Sequence, residues 1–350
     1  MSVAFKAVQW NRDKLIYDAV LVAGVAIYIA GFAAVAWRWH PPKNLPDVLD
    51  IWLRAFGTAA FLMLTVILCI GPLARLDCRF LKLLYNRRHF GVLTFFVAAT
   101  HVGLMIEWFA VQGLLHTLPA DFTTWENYGK FIGFPFKTLG VAALAIMLTM
   151  AATSHDFWLG FLKPPVWKAL HMAVYAAYGL VVMHVALGIM QYEHTPLIPL
   201  MLIGSLGAVA TLHLMAGWRE WDADHGRAAA ADGWLLVGPP NAIPDKGARI
   251  VTASGGERIA VFRDGDQIGA LTNLCAHQNG PLGEGRIIDG CVTCPWHGYQ
   301  YRLADGCAPP PFIERLVTYR VRWNQGVIEV DPHPLPPGTP ASITCPRTGA

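Results

Sequence analysis

The chain changes its hydrophobic pattern once. Up to residue 218 long apolar runs alternate with short polar connections; after that come short segments broken by turn residues. The apolar runs cover residues 19–37, 55–74, 90–115, 139–154, 166–190 and 196–218. A helix needs about 20 apolar residues to cross about 30 Å of hydrocarbon. The fourth run reaches that length only if it extends backward through residues 131–136. The pattern predicts six transmembrane helices, with no internal repeat. Residues 219–232 are polar and read as a linker. Beyond them, paired segments flank Asp264-Gly265, Asp289-Gly290 and Asn324-Gln325-Gly326, which are hairpin signals. The expected architecture is a six-helix all-α transmembrane bundle followed by a small all-β domain. Its segments are an N-terminal stretch (1–18), the bundle (19–218), the linker (219–232), the β domain (233–333) and a tail (334–350). The Pro, Gly, Ser and Thr content of the tail predicts a loose chain.

Composition sharpens this division. Hydrophobic residues make up 54% and charged residues 15%, against about 25% charged in soluble domains, and the deficit falls in the first 218 residues. A net charge of +3 with no basic patch argues against a nucleic-acid partner. With the N-terminus inside, the inner segments carry Lys6, Arg12, Lys14, Arg75, Arg79, Lys82, Arg87, Arg88, Lys163, Lys168, Arg219 and Arg227. The outer ones carry Arg38, Lys43, Arg54, Lys130 and Lys137. Twelve against five predicts cytoplasmic N- and C-termini in the inner (cell) membrane. The first apolar run starts late and has no small-residue cleavage site, so no signal peptide is expected. Cys69, Cys78, Cys291, Cys307 and Cys345 follow no framework spacing, so no disulfides are expected. Cys291 is either a spare thiol or a packed small residue.

Chemistry concentrates in two places. The first is L-C-A-H-Q-N-G-P-L-G followed by C-P-W-H-G-Y-Q-Y. Cys275 and His277 form one pair, Cys294 and His297 another, each beside a turn. Two thiolates and two imidazoles suit one tetrahedral zinc or a [2Fe–2S] cluster. The run resembles the Rieske family, which implies a [2Fe–2S] cluster with one Cys and one His from each loop. The Gly280-Pro281-Leu282 turn and the run Pro309-Pro310-Pro311 are similar to that family too. The chain departs from the high-potential respiratory members, whose inter-loop disulfide positions correspond to Gly280 and Trp296 and whose Ser donor corresponds to Tyr299. Tyr301 matches their tyrosine that bonds a cluster sulfur. Fewer hydrogen bonds to sulfur imply the low-potential, ferredoxin-like branch, and a missing disulfide suits a reducing compartment.

The second place is the membrane. An ionisable residue inside an apolar helix is functional by default. The third run carries His101 and His116, about 22 Å apart along a helix, and the fifth carries His171 and His184, about 20 Å apart. Two helices with two histidines each can clamp hemes in a bundle interior. The segments R-R-H-F-G-V-L-T-F-F-V-A-A-T-H, T-S-H-D-F-W and W-K-A-L-H-M-A-V-Y-A-A-Y-G-L-V-V-M-H resemble the ferric-reductase-like transmembrane family. That family includes NADPH oxidases and the heme subunit of a methionine-sulfoxide reductase. The resemblance implies heme b, with His101 and His171 on an inner heme and His184 and His116 on an outer one. His116 lies one residue beyond the family spacing. Thirteen residues from His171 to His184 also fall about 140° short of four turns, so one heme and two hemes both remain open. His155 and His213 are weaker candidates, and Glu107 is expected to face a polar outer cavity.

No G-x-G-x-x-G fingerprint follows the helices. The expected function is therefore membrane electron transfer, with the cluster domain in the place of a flavin module. Single electrons pass between cluster and heme, outward to an acceptor. The alternatives are a quinone-linked heme protein feeding a cytoplasmic partner and a heme-free, membrane-anchored redox sensor. Membrane lipid and a redox donor and acceptor are the implied partners. The cluster potential is expected to fall with rising pH as the ligand imidazoles deprotonate on oxidation.

Overall fold

The computed structural model describes residues 12–345 apart from 85, 124–126, 131, 155–157, 159–160, 163, 193–194, 226–231, 254–255, 277–279 and 296–297. Its principal helices are α1 (Arg12–Trp39), α2 (Leu45–Leu76), α3 (Arg87–Val111), α4 (Lys137–Ala152), α5 (Pro164–His171), α6 (Val174–Leu187) and α7 (Leu197–His225).

Among the described residues, five helical spans are long and apolar enough to cross a membrane, one fewer than expected. The shortfall is α4, whose 16 residues reach about 24 Å. It does not extend backward through residues 132–136. Gly133 has φ +81° and Pro135 stands two residues before the first helical position. A proline removes a donor and disfavours helical geometry in the residue before it. α5 and α6 belong to one span, Val166–Gln191, interrupted just after His171. There Ala173 N bonds Leu170 O and Tyr175 N bonds Met172 O, three residues back instead of four.

α2 is the enclosed helix. Phe61, Leu64 and Leu68 form a core with Tyr178 of α6 and Leu202 of α7. Phe61 stacks on Tyr178 with ring centres 5.8 Å apart, and Thr65 Oγ1 lies 3.2 Å from the Tyr178 hydroxyl. Val20 and Ile27 of α1 and Ile203 and Leu214 of α7 stay exposed. Such faces need no protein cover in lipid, whereas every backbone donor must still be satisfied inside the helix.

The β domain consists of β1 (Leu235–Gly238), β2 (Ala248–Thr252), β3 (Arg258–Asp264), β4 (Gln267–Thr272), β5 (Arg286–Ile288), β6 (Cys291–Thr293), β7 (Gln300–Arg302), β8 (Thr318–Asn324), β9 (Val327–Leu335) and β10 (Ile343–Thr344). A seven-stranded sheet has the order β1-β9-β8-β4-β3-β2, with β10 paired to β4, and β5-β6-β7 form a second sheet. All named ladders are antiparallel. The three expected hairpins form, closing at Asp264↔Gln267, Ile288↔Cys291 and Asn324↔Val327. Period-2 alternation serves two cores at once. On β3, Ile259 and Val261 enter one core with Tyr319 and Ile328. Ala260 and Phe262 enter the other, which also holds Cys275 and Cys294.

The expected loose tail is packed as far as it is described. Ala341 N bonds Ala304 O, Cys345 N bonds Asp266 O, and Cys345 is buried. The spare edge of β4 offers backbone partners that β10 takes, and hydrogen-bonded pairing outweighs a turn-rich composition.

Candidate functional site

Two sites emerge, one in the β domain and one among the helices. In the β domain, Cys275 lies on the connection from β4 to β5 and Cys294 on that from β6 to β7. The first loop closes through Cys275 N to Gly280 O (2.9 Å), and the second through Cys294 N to Tyr299 O (2.8 Å) and Gly298 N to Cys294 O (2.9 Å). Asn273 braces the first loop, its side-chain oxygen accepting from Gly283 N. Both thiols are buried in one apolar cluster with Leu282, Tyr299 and Tyr301. The Tyr301 hydroxyl stands 3.3 Å from Cys275 Sγ. Burial, followed by the charge of Cys275, pushes this phenol well above its usual range, so it keeps its proton and acts as a donor. Phe312, directly after the proline run, packs edge-on to Tyr299 with ring centres 4.9 Å apart. His277 and His297 lie outside the described residues, as does Trp296.

In the helical unit, His101 of α3 and His184 of α6 face one cavity of about 600 Å³. Their ring centres are 6.5 Å apart and their planes nearly perpendicular, at 89°. His101 Nδ1 lies 2.9 Å from the Leu53 carbonyl oxygen and His184 Nδ1 2.9 Å from that of Phe136. A carbonyl only accepts, so each Nδ1 carries the proton and each Nε2 keeps its lone pair. Imidazole–metal bonds are about 2.0 Å. Adding about 1.2 Å from each nitrogen to its ring centre puts two imidazoles on opposite sides of one ion about 6.4 Å apart. The observed spacing suits one iron held between the two rings.

Space for the rings comes from glycine. A Cβ at Gly57 would stand 2.9 Å from His101 Nδ1, and one at Gly140 2.9 Å from His184 Nδ1. These positions expose a repeat that the apolar pattern hid. Residues 53–57 read L-R-A-F-G and residues 136–140 read F-K-T-L-G. In each copy the first residue's carbonyl holds an imidazole and the fifth makes room for it. The second is a cation, Arg54 or Lys137, and both line the same cavity. Arg54 Nε lies 2.7 Å from Asp50 Oδ2, and Lys137 Nζ sits 4.4 Å over the Phe109 ring.

The structure therefore pairs His101 with His184, not with His171. The break after His171 separates the two histidines of that span. His171 stacks on Trp167 at 3.8 Å, with Nδ1 3.0 Å from the Trp167 carbonyl, and is not among the residues lining the cavity. His116 is exposed in the turn after α3, 3.1 Å from the Gly113 carbonyl. Glu107 is exposed on α3 outside the cavity lining, His213 is half-buried on α7, and His155 lies outside the described residues.

Residues 233–320 match the Rieske [2Fe-2S] domain and residues 56–182 the ferric reductase like transmembrane component. The anthranilate 1,2-dioxygenase ferredoxin subunit of Burkholderia cepacia is 40% identical over 81 residues, 22% of this chain and 73% of that protein. The protein-methionine-sulfoxide reductase heme-binding subunit MsrQ of Caulobacter vibrioides is 28% identical over 213 residues, 60% of this chain and 89% of that one. Its counterpart from Xanthomonas campestris pv. campestris is 26% identical over 237 residues, 65% of this chain and 97% of that one. A buried dithiol site and a histidine-lined membrane cavity thus fall in two matched segments, and the chain is a membrane redox protein that belongs to the Rieske [2Fe-2S] family through its β domain, joined behind a ferric reductase like transmembrane component.

Proposed function

We propose that this chain is a one-electron transfer component in which His101 and His184 hold a single b-type heme, and Cys275, His277, Cys294 and His297 hold the [2Fe–2S] cluster. The observation that carries the reading is the imidazole pair, 6.5 Å apart across one cavity with each Nδ1 turned to a carbonyl. When bound, heme and cluster each take up and release one electron. The carbonyls of Leu53 and Phe136 fix the tautomer and orientation of the two rings before any ligand arrives. Were a heme held by both imidazoles, His101 and His184 would occupy the positions that oxygen chemistry needs, so the pair favours electron transfer. Tyr301 donates toward Cys275 sulfur and favours the reduced cluster. Gly280 and Trp296 supply no inter-loop disulfide, which fits the low-potential branch and a reducing compartment.

The distribution of Lys and Arg supports cytoplasmic termini and a cytoplasmic cluster domain. On that orientation electrons run from the cluster to the heme and outward to an acceptor; relatives that are heme-binding subunits of a reductase fit a chain that serves a separate redox partner. The test is a heme-to-chain ratio and reduced-minus-oxidised spectrum on the detergent-solubilised full chain, with EPR of the reduced cluster. One low-spin heme per chain and a Rieske-type signal are expected. H101A and H184A should each abolish the heme, and H116A and H171A should keep it. A second heme lost specifically in H171A would overturn the single-heme assignment, and a chain without heme would overturn the relay.

A further inference from the structure

A salt bridge joins the loop that carries Cys275 to the end of α2. Arg75, in the last turn of that helix, places Nε 3.3 Å from Glu284 Oε1. The last turn of α2 belongs to the same compact unit as the β domain. Both partners stand on backbone that is held in place.

Glu284 closes the 3₁₀ turn Leu282–Glu284 on the connection from β4 to β5. Leu282 is fully buried, and its N bonds the carbonyl of Asn273, two residues before Cys275. Gly283 N donates to the Asn273 side chain at 2.6 Å. On the other flank, a Cβ at Gly285 would overlap the carbonyl of Thr293, the residue before Cys294. Glu284 thus stands between two close contacts, one to each cluster loop, and its carboxylate is a handle on both. At the other end of the bridge, the carbonyl of Leu76, the last residue of α2, accepts from Arg219 Nη1 of α7 at 2.7 Å. That bond fills one of the carbonyls that a helix end leaves open. It ties the turn bearing Arg75 to the helix that leads into the β domain.

Energetics decide what such a pair is for. The Glu284 side chain is 16% exposed and that of Arg75 43%. An ion pair this open adds little to stability. Its use is selective, because charge complementarity fixes the register in which two surfaces meet. The same helix walls the histidine-lined cavity with Gly57, Phe61 and Leu64, so its far end is a functional place to dock. Resting on the relay proposed above, we infer that Arg75 is the docking point of the cluster loops on the membrane helices. Its pairing with Glu284 selects the orientation in which one electron leaves the reduced cluster and converts ferric heme to ferrous. No bond forms or breaks at the pair, and no proton moves.

The experiment uses the full chain in detergent and has two readouts. The first is the rate of heme reduction after flash photoreduction by a ruthenium dye, corrected by the rate in C294S, which lacks a cluster ligand. R75E and E284R should each slow it about tenfold, since repulsion replaces attraction. The exchanged pair R75E/E284R should restore it to within about twofold. The neutral variants R75Q and E284Q, gentler on folding, should slow it about two- to fivefold. The Soret band and the Rieske EPR signal report which preparations are intact. The second readout needs no cofactor: zero-length carbodiimide cross-linking of R75K, mapped by mass spectrometry, should join position 75 to Glu284. The cross-linked chain, locked in the docked orientation, should still reduce its heme at the native rate. Single reversals without effect, an exchanged pair as slow as either single, or no cross-link would overturn the inference and leave the heme reading standing. A cross-linked chain that no longer transfers electrons would overturn it too, as the docked orientation would be unproductive. A native chain without heme would overturn the relay, and the inference with it.

Discussion

The most demanding prediction concerns a methyl group. In G57A the new Cβ would stand 2.9 Å from both His101 Cε1 and Nδ1. Ordinary carbon contacts fall at about 3.5–4.0 Å, so the ring has to retreat by about 0.6–1 Å. A functional site tolerates about 0.5 Å. The retreat also breaks or stretches the 2.9 Å bond from Nδ1 to the Leu53 carbonyl. Overpacking costs about 1–3 kcal/mol and a buried hydrogen bond about 1 kcal/mol. A combined loss of at least about 2 kcal/mol weakens heme retention about thirtyfold. G140A should behave the same way, through His184. The control is G103A, on the same helix as His101, where an added Cβ meets nothing within 4 Å. It should keep its heme and gain about 0.5–1 kcal/mol of helix stability. The assay is the heme-to-chain ratio after purification and the rate of heme loss to an apo-globin scavenger. Native retention and an unshifted low-spin spectrum in both G57A and G140A would refute the assignment of this cavity.

Two predictions concern the β domain. Y301F keeps the fully buried ring but removes the hydroxyl 3.3 Å from Cys275 Sγ. Losing about 1 kcal/mol that favours the reduced cluster should lower its potential by about 40 mV, measurable by voltammetry; an unchanged or higher potential contradicts the role given to Tyr301. Cys291 is buried, and burial pushes its thiol up from the ordinary cysteine range. It should therefore resist alkylation at pH 8 in the folded chain, and C291S should keep the cluster EPR signal. Rapid labelling, or loss of the signal, would make it a reactive thiol instead of a packing residue.

What could be read from the sequence was whatever the environment punishes. Lipid forces runs of about 20 apolar residues, so the helical region was visible, and an imidazole within such a run marks itself. The hairpins were visible because Asp289 and Gln325 adopt φ of +50° and +47°, each followed by a glycine at positive φ. The histidine pairing was not visible. Thirteen residues already set His171 and His184 on different sides of a regular helix, but nothing in the pattern tells which of them meets His101, and the break after His171 involves neither Pro nor Gly, within H-M-A-V. The packing of the tail was hidden for a related reason. Pro336, Gly338 and Pro340 predict a turn but say nothing about the vacant edge of β4, 70 residues earlier, to which Ile343 and Thr344 bond.

The repeat went unseen because its logic is angular. At about 100° per residue, position i+4 of a helix lies about 40° from position i, and position i+1 about 100° away. A carbonyl at i and a glycine at i+4 therefore address the same object, the imidazole edge on the neighbouring helix, while a cation at i+1 is swung aside toward the periphery of the cavity. Leu53, Arg54 and Gly57 do this for His101 of α3, and Phe136, Lys137 and Gly140 do it for His184 of α6. Two copies of a three-point motif thus define ring position, ring tautomer and flanking charge on both sides of one site. Neither copy looks unusual in a hydropathy profile, since Leu, Phe and Gly are ordinary membrane residues and a single Arg or Lys near a helix start reads as an interfacial anchor. Only the convergence of both copies on one cavity gives those residues a shared purpose.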